Sequence, residues 1–238
     1  MKVALIGYGK MGHEIEKILL DRGHQIILII DKDNQPDIKS EKFKAADVAI
    51  EFTTPHSAIE NIKASTLAGV PLVCGSTGWL DRLPEMEEFV TQNNGGLFYA
   101  SNFSLGVNIF FHVNEYLAKI MAKLKDYSVE MEEWHHNQKL DAPSGTAITL
   151  AEHILKEYPQ KTGWINESTT DDSKLGIISI RKGDIPGIHT VTYNSPVDTI
   201  TLTHDAKSRQ GFALGAVLAA EYLVGKKGIH TMNDLLTL

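Results

Sequence analysis

The sequence holds a single cysteine, Cys74, in 238 residues. An intrachain disulfide is therefore excluded, and so is a zinc site built on several thiolates. Basic residues are outnumbered, 23 Lys and Arg against 30 Asp and Glu, for a formal charge of −7. Binding to a phosphate backbone is driven by clustered Lys and Arg, and no basic run occurs, so no nucleic-acid partner is expected. Long apolar runs are missing too. The opening Met1-Lys-Val-Ala-Leu-Ile-Gly7 breaks at glycine after four apolar residues, too few for a signal-peptide core or a membrane span. The expectation is a cytoplasmic protein with no membrane partner. No internal repeat or low-complexity tract appears. Residues are 42% hydrophobic and 22% charged, a globular composition with core enough for one large domain or two modest ones.

What is present begins with Val3 to Ile6, a short all-apolar run of the kind buried on both faces of a parallel sheet. Gly7-Tyr-Gly9-Lys10-Met11-Gly12 follows at once. Met11, Ile15, Ile18 and Leu19 then recur at helical spacing, Gly23 ends that helix, and Ile26 to Ile30 reads as a second strand closed by Asp31. A G-x-G-x-x-G motif alone is weak. Between a strand and a helix it is a dinucleotide fingerprint, in which glycines let a pyrophosphate approach the helix N-terminus. Asp31 follows Gly12 by 19 positions, close to the ~20 expected of the acid that binds the adenosine ribose. Asp31 favours the free 2′-hydroxyl of NADH, while Lys32 beside it tolerates the 2′-phosphate of NADPH, so one or both cofactors are expected. Three further strands end in Phe52-Thr-Thr, in Gly75-Ser76-Thr77-Gly and in Ala100-Ser101-Asn102-Phe103. In an open parallel sheet the carboxyl ends of strands face the ligand, so these turns are candidate cofactor contacts, with the Phe103 ring placed to pack on one. Cys74 reads as an ordinary buried strand residue.

The strand–helix alternation stops after a helix from about 108 to 123. Alternating strands follow at 126–134, 175–182, 188–193 and 198–203, with a helix at 144–158 and a polar stretch, 160–173, expected to be a mobile surface loop. The fold class is α/β: a Rossmann-type doubly wound parallel sheet plus an α+β domain with a mostly antiparallel sheet. The terminal apolar helix, from about 209 to 224, needs a sheet to cover it and is assigned back to the first domain. The expected boundaries are 1–104 with 209–238 for dinucleotide binding, and 105–208 for substrate binding and oligomerisation.

Chemistry concentrates in Glu132-Glu-Trp-His135-His136-Asn-Gln-Lys139-Leu-Asp-Ala-Pro-Ser144-Gly145-Thr146-Ala147. A strand leads in, and a helix capped by Ser144 leads out, offering free N–H groups to a carboxylate. Histidine delivers a proton near neutral pH, and a lysine stabilises developing negative charge. Neighbouring side chains of a strand point to opposite faces, and no third ligand follows at metal spacing, so no metal is expected. Arg209 is a further candidate for a carboxylate contact.

This motif resembles that of the 4-hydroxy-tetrahydrodipicolinate (dihydrodipicolinate) reductase family of the diaminopimelate and lysine pathway. Gly7 to Gly12, Gly75 to Gly78, Ala100 to Phe103, Gly183-Asp-Ile-Pro-Gly-Ile-His189-Thr and the segment 208–217 are similar as well, so the resemblance spans nearly the whole chain. It implies NAD(P)H-dependent reduction of a cyclic unsaturated dicarboxylic acid, and a homotetramer built through the second-domain sheets. It further implies that His135 is the general acid/base and Lys139 a proton donor, with His136, Ser144, Gly145 and Thr146 at the substrate. Cofactor contacts are implied at Gly7, Gly9, Lys10, Met11, Gly12, Asp31, Lys32, Phe52, Gly75, Ser76, Thr77, Ala100, Ser101, Asn102 and Phe103. Two competitors remain from the residues alone. One is another two-domain dehydrogenase of an amino acid or sugar, which would share the first half but not the His135–Thr146 motif. The other is a nucleotide sensor without catalysis, which would lack a titratable cluster.

Overall fold

The computed structural model describes residues 1–208 and 210–237. The chain forms two compact units, one made of Met1–Leu105 together with the chain from Gln210 onward, the other beginning at Gly106.

In the first unit the elements run β1 (Lys2–Ile6), α1 (Lys10–Asp21), β2 (Gln25–Ile30), the short α2 (Glu41–Lys44), β3 (Val48–Glu51), α3 (Pro55–Leu67), β4 (Leu72–Cys74), α4 (Leu83–Gln92) and β5 (Gly96–Tyr99). The second unit adds α5 (Leu105–Met121), β6 (Ser128–His135), α6 (Gly145–Glu157), β7 (Gly163–Ile165), β8 (Lys174–Arg181), β9 (Ile188–Asn194) and β10 (Thr199–Asp205). The chain then returns to the first unit as α7 (Gln210–Leu223), β11 (Gly228–His230) and α8 (Met232–Leu236).

The first sheet has six strands in the order β11-β5-β4-β3-β1-β2, and every pairing is parallel. Val3, Ala4, Leu5 and Ile6 are all buried, as a strand covered on both faces requires. α1 places Gly12, Ile15 and Leu19 on the sheet side, one stripe of a helix. α7 covers the same face beside it, burying Ala213, Gly215, Ala216, Val217, Ala219, Ala220 and Leu223. Its small residues allow close approach: a Cβ on Gly215 would lie 1.7 Å from the Phe103 carbonyl oxygen. Strand order reverses between β1 and β3, which flank the point where an open α/β sheet binds its ligand. Helix starts follow local chemistry. Thr54 caps α3 by accepting from Ser57 N at 3.3 Å, with Pro55 in the first turn.

The second sheet runs β10-β9-β6-β8-β7. β10–β9 and β9–β6 are antiparallel, whereas β6–β8 and β8–β7 are parallel. The expected antiparallel meander accounts for half of this mixed sheet. The other half is parallel because α6 lies between β6 and β8 and carries the chain back across the sheet. One face packs on α5 and α6 through Phe110, Ala118, Met121, Ala147, Leu150, Ala151 and Ile154; each fully buried Leu or Ile is worth roughly 1.5–3 kcal/mol. The 160–173 stretch is not the expected mobile loop. β7 lies inside it, paired with β8, and Lys161 Nζ donates to the carbonyls of Asp172 (3.1 Å) and Lys174 (2.8 Å). Its polar composition hid a strand held by backbone bonds.

Candidate active site

In the first unit the glycine turn is built around Phe52. Gly7 has φ +92°, and a Cβ there would sit 2.1 Å from the Phe52 carbonyl oxygen; a Cβ on Gly12 would sit 2.5 Å from the Gly7 oxygen. These two glycines are required by the fold. Gly9 is different: it is exposed, a Cβ there would meet nothing within 4 Å, and no side chain caps α1. The open space before an uncapped helix N-terminus fits a pyrophosphate. Lys10 is exposed and Met11 half-buried on the first turn. Asp31 and Lys32 are exposed just past the end of β2, with Asp31 N donating to Asn34 Oδ1 at 2.8 Å.

The neighbouring turns are pinned from below. Gly75 lies over the Phe52 ring, where a Cβ would come 2.1 Å from Cζ. Glu51, fully buried at the end of β3, accepts from Thr53 N (3.0 Å), Thr53 Oγ1, Ser76 Oγ (2.9 Å) and Cys74 Sγ (3.1 Å). The Ser76 hydroxyl is thus spent inside the protein, and its carbonyl accepts from Trp79 Nε1 at 2.8 Å, while Thr77 is exposed. Burial, with Glu51 beside it, pushes the Cys74 thiol well up, so it stays protonated and inert. Phe103 does not offer its ring to a ligand. It is buried against Phe98 and Phe52, with ring centroids 5.8 Å apart in both pairs, and belongs to the core. Ala100 is half-buried and Ser101 exposed, and Asn102 Oδ1 accepts from Ser104 N at 2.9 Å.

The second unit assembles the titratable cluster. β6 ends on His135, which is buried, and His136 lies just beyond the strand. The Glu133 carboxylate, two positions earlier on the same face and fully buried, contacts His135 Nδ1 through Oε2. Neither atom has another polar partner among the described residues. Glu133 Oε1 accepts from Arg181 Nη2 at 2.8 Å and from Ser144 N at 3.3 Å. Burial works against the Glu133 charge, yet His135, Arg181 and Ser179 together hold its carboxyl at about 2. Arg181 Nη2 also donates to the Asp141 carbonyl at 2.7 Å, fastening the 136–144 turn to β8. Within that turn Lys139 N donates to the His136 carbonyl (3.1 Å), and Lys139 Nζ reaches both Asp141 carboxylate oxygens at 2.8 Å. Ser144 caps α6 by accepting from Ala147 N at 3.2 Å; Gly145 is exposed beside it and Thr146 half-buried.

Across the sheet, His189 on β9 stands in register with Glu133, its ring edge-on to His135 at 5.1 Å between centroids. Burial, reinforced by His135, pulls His189 down to about 3, so it is neutral at any working pH. Sequence reasoning assigns no role to Glu133, Arg181 or His189. Their signal is long-range pairing, which spacing does not reveal. Among the described residues no three metal-ligating side chains converge. Arg209 lies outside the described residues.

With this geometry in hand, comparison with known proteins decides the family. A family model described as "Dihydrodipicolinate reductase, N-terminus" matches residues 1–103, and one described as "Dihydrodipicolinate reductase, C-terminus" matches 106–236. The chain belongs to the dihydrodipicolinate reductase family. A relative named 4-hydroxy-tetrahydrodipicolinate reductase from Christiangramia forsetii is 49% identical over 238 residues, covering 100% of this chain and 98% of that protein. One of the same name from Methanocaldococcus jannaschii is 37% identical, covering 98% and 81%. A dipicolinate-bound dihydrodipicolinate reductase from Paenisporosarcina sp. TG-14 superposes with a TM-score of 0.79 at 26% identity, covering 98% of both chains. An amine dehydrogenase from Mycobacterium smegmatis shares the fold at 11% identity and a TM-score of 0.59. The family's reductases use NADH or NADPH, and the first unit, carrying the Gly7–Gly12 turn, is the nucleotide-binding one.

Proposed function

We propose that this protein catalyses the NAD(P)H-dependent reduction of 4-hydroxy-tetrahydrodipicolinate to tetrahydrodipicolinate in the diaminopimelate and lysine pathway: the 4-hydroxyl leaves as water, and one hydride and one proton add to the unsaturated ring. The supporting observation is the second-unit cluster: an imidazole backed by a buried carboxylate, followed along the chain by a turn that carries Lys139 and by the start of α6, which Ser144 caps. Gly9 to Gly12, Asp31 and the turns at 75–77 and 100–102 would hold the nicotinamide cofactor, which would supply the hydride. The residues of this chain do the rest. The N–H groups of Gly145 and Thr146 bind a substrate carboxylate at the α6 N-terminus. His136 and Lys139 flank that anion, and the Lys139 charge offsets negative charge that develops on the ring. His135 delivers the proton that quenches it and is recharged from water.

The second unit is in this reading the substrate-binding and oligomerisation domain, and the protein a homotetramer. The sheet face away from α5 and α6, with half-buried Trp134, Ile178 and Ile180, supplies the surface between copies. The protein works in the cytoplasm; no helix among the described residues is long and apolar enough to cross a membrane. Light scattering on an eluting peak at four chain masses is the outcome expected for the assembly.

The test of function is a coupled assay fed with the condensation product of pyruvate and aspartate semialdehyde, following NADH and NADPH separately. His135→Ala and Lys139→Ala should each cut turnover by ~10²–10⁴-fold, the range for a lost general acid, while NADH binding persists. Full turnover in both variants sinks the assignment.

A further inference from the structure

Glu133 has two oxygens with separate duties. Oε2 contacts Nδ1 of His135 and makes no other hydrogen bond, while Oε1 takes Ser144 N at the start of α6 and Arg181 from β8. The proton donor and the substrate-anion site therefore hang on one buried carboxylate. On the opposite edge of the imidazole stands Gly187, where a Cβ would lie 3.0 Å from Nε2. A glycine at that position leaves Nε2 unobstructed by a side chain.

We propose that Glu133 is a positioning residue for the reduction: it fixes His135 with its proton on Nδ1 when neutral, making Nε2 the atom that delivers the proton to substrate, and it locks that donor to the α6 anion site. This deepens the function proposed above and rests on it. An ionised carboxylate is acceptor-only, so the imidazole nitrogen it touches must carry hydrogen. After Nε2 gives up its proton, Nδ1–H stays on Glu133 and the Nε2 lone pair takes the next proton from water. Glu133 itself stays ionised through the cycle. The remaining charged or titratable neighbours are accounted for. Arg181 from β8 donates to Glu133 and the Asp141 carbonyl, and Lys139 pairs with the Asp141 carboxylate rather than with Glu133. His189 from β9 presents a neutral ring edge, and His204 on β10 acts on His189. Glu133 is thus the one anion in contact with His135 among the described residues.

The test pairs Glu133→Gln with a readout that loss of packing would not move. The substituted amide keeps an oxygen for Arg181 and Ser144 but turns an N–H toward Nδ1. The alkaline limb of kcat/KM should then move to lower pH by about 1–3 units, the usual effect of a neighbouring opposite charge. KM for the substrate should stay close to wild type, and so should NADH affinity. A merely structural role predicts the reverse: raised KM with the limb in place. That result overturns the proposal. Nitrogen-15 NMR of the His135 ring, assigned by its absence in His135→Gln, gives a second reading in the wild-type protein without turnover. Above its titration the ring should be the Nδ1–H tautomer, and an Nε2–H tautomer refutes the idea even should Glu133→Gln fail to fold. A fully active His135→Ala would instead bring down the proposed function. An inactive His135→Ala with an unshifted Glu133→Gln profile brings down only this inference.

Discussion

Acid should weaken the second unit well before its carboxylates titrate, and His189 sets where. A buried histidine held at about 3 stays neutral in the folded chain, whereas the unfolded chain protonates it near ~6.5. The depressed folded value means that its stabilising contribution is complete above the unfolded pKa and declines as pH falls toward the folded one. Between pH 7.5 and 5 the loss from this residue alone comes to about 2 kcal/mol, and by pH 4 to about 3 kcal/mol. Glu133, held at about 2, follows the same sign but starts lower. Its contribution is intact above the unfolded carboxyl value, is barely reduced at pH 5, and is lost as pH falls toward 2. The two residues therefore separate on the pH axis. Urea unfolding of wild type and His189→Gln at pH 7.5 and 5, followed by tryptophan emission, should show the wild type losing about 2 kcal/mol more than the variant. Parallel losses in the two proteins would falsify the burial argument, as would an NMR titration step of His189 near pH 6.5.

Two further outcomes follow from the geometry. Ser144→Ala removes the cap on Ala147 N and should lower stability by about 1 kcal/mol in the same urea assay; because the proposed substrate-anion site sits on that helix start, KM for substrate should rise with it. Gly75→Ala drives a Cβ into the Phe52 ring, 2.1 Å from Cζ, and should cost about 1–3 kcal/mol and weaken NADH binding in a fluorescence titration while leaving the His135 ring tautomer untouched.

Much of this is legible in the residue order, for reasons that differ along the chain. The dinucleotide half is readable because its constraints are local: Gly7 and Gly12 have no room for a Cβ, and Val3 to Ile6 must be apolar to lie under two helix layers. α6 is readable because Ser144 caps it with its own side chain. The 136–146 turn announces its chemistry through residue types that a plain loop does not gather. What escapes is held by partners far away in sequence. Glu133 looks like one more acid on an alternating strand until Arg181, 48 positions later, is seen to neutralise it. Glu51 likewise reads as a strand-end acid, yet it ties together Thr53, Cys74 and Ser76. Phe103 misleads because an aromatic after a strand can face ligand or core equally well, and only the arrival of Gly215 on α7 puts it inside. β7 is hidden because Gly163-Trp-Ile165 is too short to show an alternation and lies in an otherwise polar stretch.

The nucleotide-binding unit is stitched from both ends of the polypeptide. Its sixth strand and the helix lying on β3, β4 and β5 are made only after the whole second unit has been synthesised. A nascent chain that has finished β5 still exposes an apolar sheet face and an open edge beside it, to be covered roughly a hundred residues later. Translation order thus favours the second unit, whose segments are contiguous, as the first to be completed. Any lesion that stops synthesis before α7 would leave the first sheet without its sixth strand and its covering helix, while every strand of the second unit would already be made.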